Sequence, residues 1–529
     1  MGNIKFFKNK DYKNLLVFAL IICGFLSIRI YLFKNYNIGF YQNKDDYSSL
    51  SLGHGINIDS WLNSSKRTIG YFQTTHPGIP FQLISGLVYE MTIFKMSGNF
   101  FDKVLQTLKN PEKFWKYNQI ASFIFFTISL GILYLYGLKK SIKTAILMIM
   151  IYLSFMPIWI YGYEYLGNES FSLILFFCLV FYANKSFSSP EKIINWFVTG
   201  VICGVCYLNK LNYITWSVAF IFVGLISIIL QKVNFVNILK ITLAYGFGFI
   251  LSIILIGLPM LRPRGLKKMY LTHLSTIFHT GYYGQGKEGV VSIKFLGSSI
   301  KSFITDYSFF TILVMLVMIL SVGVLFRFIK NNKNRSKPIF YLIFLVSCFL
   351  LSFLSGMKHY RSYYIITSLV TLPFLVFFIS DYLPGKIQTV VFILFLFLVL
   401  INTKNYIENS INEYNVTKEY EAELNMVRSL ALSDNELRIW QYRIRAPEYL
   451  SYFSGENSGI KEVNEKLKLN SRDLGVFDGL PYINLNWKYF IYDKNIFPNF
   501  DTLPIEIKKI CKVAFNGNFL LVVEKLEVN

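Results

Sequence analysis

Two adjacent carboxylates, Asp45 and Asp46, stand in the segment Phe40-Tyr-Gln-Asn-Lys-Asp-Asp-Tyr-Ser-Ser-Leu50. Neighbouring carboxylates repel, so one of them is readily held as a proton acceptor near neutral pH. The same residue type also suits a solvated turn or a helix N-cap. Some thirty residues on, Thr74-Thr-His76-Pro77-Gly78 brings one titratable ring to a turn that opens an apolar stretch. A third group lies in Pro157-Ile-Trp-Ile-Tyr-Gly-Tyr-Glu164-Tyr-Leu-Gly-Asn168-Glu169-Ser170, where two acids and an amide sit between apolar runs. Acids there are costly unless paired or wetted, so they are functional candidates as well as ordinary loop residues. A fourth, Lys358-His359-Tyr360-Arg361-Ser-Tyr-Tyr364, is basic and aromatic. Arginine forks grip phosphate through two parallel hydrogen bonds, with Lys and His as point donors. The same residues suit snorkelling at an aromatic belt. Further cations stand at Arg262, Arg264 and Lys210. Tyr282 and Tyr283, in Thr280-Gly-Tyr-Tyr-Gly-Gln-Gly286, offer rings that could stack on a sugar.

These groups need elements to hold them, and composition says which kind. Of 529 residues, 53% are hydrophobic, 18% aromatic and only 16% charged. A soluble domain carries about a quarter charged residues. This balance excludes a soluble enzyme, a disordered chain and a nucleic-acid-binding domain, and leaves a polytopic membrane protein. The net charge of +22 is uneven. Residues 1–402 hold 37 Lys and Arg against 13 Asp and Glu, and residues 403–529 hold 16 against 18. Basic surplus in a membrane domain anchors cytoplasmic loops and contacts anionic lipid.

A crossing helix needs about 20 mostly apolar residues. Eleven such runs are predicted, near 14–33, 119–138, 144–161, 170–183, 193–209, 212–230, 238–258, 307–328, 338–356, 363–380 and 387–402. Lysine and arginine in short loops set orientation. With eleven spans, Lys5 to Lys13, Lys139 to Lys143 and Lys330 to Lys337 are all cytoplasmic, and residues 403–529 lie outside. The segment 78–97 would reverse two of these clusters if it crossed. It carries Pro80, Glu90 and Lys95, so an interfacial or re-entrant helix is expected there.

The expected architecture is therefore an α-helical transmembrane domain over 1–402, with external loops at 34–118 and 259–306, followed by a soluble α/β domain over 403–529. In that tail Glu413–Leu432 has helical spacing, and Leu437–Tyr442 and Phe519–Glu524 read as strands. Ten of the thirteen membrane-domain acids and all five histidines fall on the external side. An enzyme working at that face explains the asymmetry; long loops also collect polar residues. The Cys203-Gly-Val-Cys206 pair lies in an apolar run without partner ligands and is read as packing. The first apolar run lacks a small-x-small cleavage site and is read as an uncleaved anchor.

An acidic pair after the first span, a His-Pro-Gly turn, an Asn-Glu loop after a proline-bearing span and a late basic-aromatic mouth resemble the GT-C superfamily. Its nearest flavours are the protein O-mannosyltransferase-like and aminoarabinose-transferase-like families. The resemblance implies an inverting glycosyltransferase of the inner (plasma) membrane. Such an enzyme moves a monosaccharide from a polyprenyl-phosphate-linked donor to a lipid, glycan or protein acceptor, amid membrane lipids and without nucleic acid. It implies Asp45 or Asp46 as base, with Asp46 where the family has Glu, and Asp45 the likelier base by family analogy. It implies His76-Pro77-Gly78 for the family's His-Pro-Pro turn, lining the substrate, and Asn168-Glu169 for an Asp-Asn-Glu stretch, with Gly167 replacing the Asp. Lys358, His359, Arg361, Arg262, Arg264 and Lys210 are then the cations available to the donor phosphate. No cofactor is required, and a divalent metal is compatible with the acids. No inserted sugar-binding domain is visible. Two alternatives stay open: an O-antigen polymerase or ligase, which needs no acidic pair after the first span, and a lipid-linked sugar flippase or transporter, which favours acids at mid-membrane and repeated halves.

Overall fold

The computed structural model describes residues 10–36, 47–63, 78–257, 293–331, 336–358, 360–430, 437–439, 488–494 and 497–526. Helices dominate. The first stretch holds α1 (Lys10–Tyr36), α2 (Tyr47–Asn63), α3 (Ile79–Ile93), α4 (Phe100–Lys109) and α5 (Glu112–Gly137). Next come α6 (Ile142–Leu153), the short α7 (Met156–Ile158) running into a π-helical turn (Trp159–Glu164), a 3-10 turn (Asn168–Phe171) and α8 (Ser172–Ser188). There follow α9 (Ile193–Asn209), α10 (Ile214–Leu230), α11 (Phe235–Gly257), α12 (Ile293–Asp306), α13 (Ser308–Asn331) and α14 (Ser336–Met357). The last are α15 (Ser362–Leu369), α16 (Leu372–Ile379), α17 (Gly385–Arg428) and, in the tail, α18 (Ile505–Ile510).

Among the described residues nine helices are long and apolar enough to cross a membrane, ten if the bent pair Ile142–Leu153 and Met156–Glu164 counts as one span. Ile193–Asn209 is apolar but shorter. Each of the eleven predicted runs thus coincides with helix. The run expected as one straight span at 144–161 does not stay straight: it is bent by 88° between its two pieces. Pro157, at the start of α7, has no N–H to continue the α6 ladder. The π turn that follows then carries the chain to Glu164. The 78–97 segment forms the 15-residue α3. At 1.5 Å per residue it spans about 22 Å, short of a hydrocarbon core of about 30 Å.

The chain divides into two compact units. One comprises Met1–Leu26, Phe72–Ile84 and Asn118–Tyr406. Its helices pack closely through small residues. In α9 a Cβ on Gly200 would overlap the Tyr245 carbonyl, and one on Gly204 the Ser252 hydroxyl; in α11 a Cβ on Gly248 would overlap the Phe197 carbonyl. Small residues four apart on both helices bring the two backbones into contact, which is how apolar helices gain packing energy where lipid competes for every side chain. Between α5 and α6 the turn is tied to the end of α16 by Lys140, whose ammonium lies 2.6 Å from Asp381 and donates to the Phe377 carbonyl.

The other unit comprises Ser27–Tyr71, Ser85–Tyr117 and Ile407–Asn529. Here α2 crosses α3 at two glycines: a Cβ on Gly55 would lie 2.7 Å from the Tyr89 Cβ, and one on Gly86 would lie 2.5 Å from the Ile58 Cγ2. The described tail strands are β1 (Leu437–Ile439), β2 (Tyr489–Asp493), β3 (Cys511–Asn516) and β4 (Leu520–Lys525), in the order β1-β2-β4-β3. β1 and β2 are parallel and the other pairs antiparallel. One sheet face, Tyr489, Ile491, Leu520 and Val522, packs on Tyr420, Leu424 and Val427 of α17. The opposite face, Phe490, Tyr492, Leu521 and Val523, packs on Leu503, Ile507 and Cys511. Burial on both faces accounts for the unbroken apolar runs in β2 and β4. Glu423 of α17 pins the β3–β4 hairpin by accepting the backbone N–H groups of Asn518, Phe519 and Leu520. The helix and strands expected in the tail are present. However, α17 is one helix of 44 residues that runs without a break through position 402, where the membrane and soluble parts were expected to meet.

Candidate active site

The sequence puts Asn168-Glu169 in a short connection between apolar runs, as functional candidates or as ordinary loop residues. The stretch is buried, in the 3-10 turn that leads into α8. The turn is held by Ser170, whose hydroxyl accepts the Gly167 N–H at 3.2 Å and donates to the Tyr165 carbonyl at 3.1 Å. Ser172 donates to the Glu169 carbonyl at 2.8 Å and hydrogen-bonds the Tyr213 phenol. The backbone carbonyl of Asn168 accepts the Asn209 side-chain amide at 2.9 Å and the Tyr213 phenol at 3.3 Å. These bonds join the start of α8 to the end of α9 and the turn after it.

Lys210 sits at that junction. Its ammonium donates to the Glu169 carboxylate, and the two side chains are 7% and 1% exposed. It also lies 4.7 Å from the ring centres of both Tyr363 and Tyr364, at the start of α15. Tyr363 in turn meets Tyr161 of the π turn edge-on, with ring centres 5.3 Å apart. A buried carboxylate and ammonium are tolerable only because they are paired. The two aromatic faces add their quadrupoles to the cation's stabilisation.

Gly78 completes the group. Its backbone N–H donates to the Leu208 carbonyl at 2.8 Å. Its φ is +145°, and a Cβ there would overlap the Asn168 Oδ1. The glycine at this position therefore has a physical reason. Proline lacks the N–H that Leu208 accepts and cannot adopt this φ.

Of the sequence-proposed site residues, Glu169 and Lys210 meet directly, and Asn168 is bonded to Asn209, the residue before Lys210. The His-Pro-Gly turn joins them through Gly78, and the basic-aromatic stretch through Tyr363 and Tyr364. Glu164 does not join the ion pair. It lies beside the buried Tyr165, whose phenol burial and the Glu164 carboxylate push well above its usual range. Lys358 is partly buried, and burial lowers its ammonium below the usual lysine value. Arg361 is exposed at the start of α15. Between them Tyr360 donates to the Asp306 carboxylate at 2.7 Å, and burial with that bond raises its phenol. Asp45, Asp46, His76, Arg262, Arg264, Tyr282, Tyr283 and His359 lie outside the described residues. Among the described residues no three His, Cys, Asp or Glu side chains gather at metal-binding distance.

Asn209, Tyr213 and Ser172 were not anticipated as site residues. The signal available for them was Lys210 itself: an ammonium in an apolar connection demands an acid and polar neighbours.

No family model and no curated protein matches the chain. Its structure is similar to that of ArnT from Cupriavidus metallidurans, solved bound to undecaprenyl phosphate. The TM-score is 0.47 and the identity 11%, over 97% of this chain and 98% of that one.

Proposed function

We propose that this polytopic membrane protein is an inverting glycosyltransferase that moves a monosaccharide from a polyprenyl-phosphate-linked donor to a lipid, glycan or protein acceptor at the extracytoplasmic face. One observation carries the reading. Parts of three separate motif segments meet around a buried, paired charge: Gly78 of the His-Pro-Gly turn, Asn168-Glu169, and Tyr363 and Tyr364, with Lys210 at the centre. In the eleven-span arrangement expected from the sequence, with the N-terminus in the cytoplasm and residues 403–529 outside, Gly78, Asn168, Glu169 and Lys210 fall on the external side, and Tyr363 and Tyr364 open a span from that side. The same arrangement places Asp45, Asp46, Lys358 and Arg361 there.

In this mechanism the donor's tail lies among the spans and its phosphate meets Lys358 and Arg361, with Lys210 within the same group of elements. Asp45 or Asp46 takes the proton of the acceptor hydroxyl or amine. The acceptor's oxygen or nitrogen attacks C1 from the face opposite the phosphate. The new C1–acceptor bond forms as the C1–O bond to phosphate breaks, and polyprenyl phosphate leaves with the bonding electrons. Cations aimed at that leaving oxygen stabilise the developing charge by about 2.7–4 kcal/mol per donor in comparable sites. General-base help is on the order of 10²–10⁴-fold.

The test compares surface glycolipids, glycans and glycoproteins by mass spectrometry. A deletion strain is complemented with the wild type or with Asp45→Asn/Asp46→Asn at matched expression. Loss of one monosaccharide in the double variant is expected. Full rescue removes the base and turns the assignment toward a ligase or a transporter.

A further inference from the structure

We propose that Gln82 reads hydroxyl groups of the transferred sugar, with the Asn209 carbonyl oxygen as a second contact; this deepens the glycosyltransferase reading and rests on it. Gln82 is 1% exposed, yet among the described residues neither its Nε2 nor its Oε1 has a hydrogen-bond partner. Asn209 is wholly buried; its Nδ2 donates to the Asn168 carbonyl, while its Oδ1 has no partner among the described residues. A buried carboxamide left unsatisfied is costly, and native proteins rarely keep one without a use.

The two amides belong to touching elements. The Gln82 N–H donates to the Gly78 carbonyl at 2.7 Å, one turn back, at the residue just before α3. The Gly78 N–H donates to the carbonyl of Leu208, the residue before Asn209. The first turn of α3 therefore lies against the segment that carries Asn209 and Lys210.

Chemistry selects the ligand class. The open positions are two carbonyl oxygens and one NH2 group, so the missing partner must both donate and accept. A phosphate dianion only accepts, and a prenyl tail does neither. Vicinal hydroxyls of a sugar do both, each offering one O–H and two lone pairs. In the proposed mechanism Lys358 and Arg361 meet the phosphate; Gln82 and Asn209 would meet the sugar joined to it.

The test uses the full-length protein in nanodiscs as wild type, Gln82→Met and Gln82→Leu. Dissociation constants are measured for bare undecaprenyl phosphate and for undecaprenyl phosphate carrying glucose, mannose, galactose, N-acetylglucosamine or arabinose. The wild type is expected to bind at least one sugar-bearing lipid more tightly than the bare lipid. Both variants should lose about tenfold of that increment, the worth of one or two hydrogen bonds. They should bind the bare lipid as the wild type does. Their melting temperatures should equal or exceed that of the wild type, because an apolar side chain of similar size removes an unsatisfied amide. Variants that keep the sugar increment overturn the assignment. So does a marked fall in melting temperature in both variants, which makes Gln82 structural, and so does a wild type that binds bare lipid without discriminating any sugar. A wild type that binds no polyprenyl phosphate at all overturns the donor reading itself, and this inference with it.

Discussion

Removing one partner of the Glu169–Lys210 pair should destabilise the protein more than removing both. The two side chains are 1% and 7% exposed, so water screens the pair little. At a contact distance of about 3 Å and an effective dielectric of about 20, their attraction is roughly 5–6 kcal/mol before desolvation is subtracted. Desolvation offsets most of that, so the pair's net worth over two apolar residues is near zero. Lys210→Met leaves the Glu169 carboxylate buried without its cation, and Glu169→Leu strands the Lys210 ammonium. Each should cost about 3–5 kcal/mol. The double variant Glu169→Leu/Lys210→Met should recover most of the loss and yet remain inactive. The assay is a double-mutant cycle on detergent-purified protein, read by melting temperature, beside transfer activity. Each single variant should melt roughly 3–5 °C below the wild type. Single variants that melt within about 2 °C of the wild type, or a double variant whose loss is the sum of the two, would refute the reasoning.

Gly78→Ala places a Cβ at φ +145° on the Asn168 side chain. It should cost about 1–3 kcal/mol by melting temperature and lower transfer activity by displacing Asn168. Glu423→Ala leaves three backbone N–H groups of the β3–β4 hairpin without their acceptor. Hydrogen exchange there should rise while the amides of α9 and α11 keep their protection. Lys358 has a lowered pKa in the folded chain, so across the window between its folded and unfolded values the unfolded state binds more protons and this group's contribution to stability rises with pH. If its ammonium binds the donor phosphate, affinity should fall as pH rises through that lowered value. Lys358→Arg, charged throughout, should move the fall to higher pH.

Much of this protein is legible from its sequence because the bilayer imposes a coarse rule. A backbone in hydrocarbon must satisfy its own hydrogen bonds, so runs of about 20 apolar residues become helices. All eleven predicted runs coincide with helix for that reason, as does the short α3. The tail strands around Leu437 and Leu520 follow from apolar runs too short for helices. Local rules reach less far where a segment's environment is set by distant partners. The 88° break in the 144–161 run is signalled by Pro157, but its size is set by what the π turn packs against. The acids near 164–169 read equally as functional groups or as ordinary loop residues, because sequence shows polarity and not burial. Whether Lys210 would meet phosphate or a carboxylate depends on the end of α9 reaching the start of α8, which no spacing along the chain encodes. The requirement for glycine at 78 arises from an asparagine ninety residues away in sequence. Residue type and periodicity therefore determined which segments form apolar helices and which side chains were chemically able to act. The tertiary structure alone decided which of them share one buried site, because pairing a charge and filling a polar gap are contacts between segments far apart along the chain.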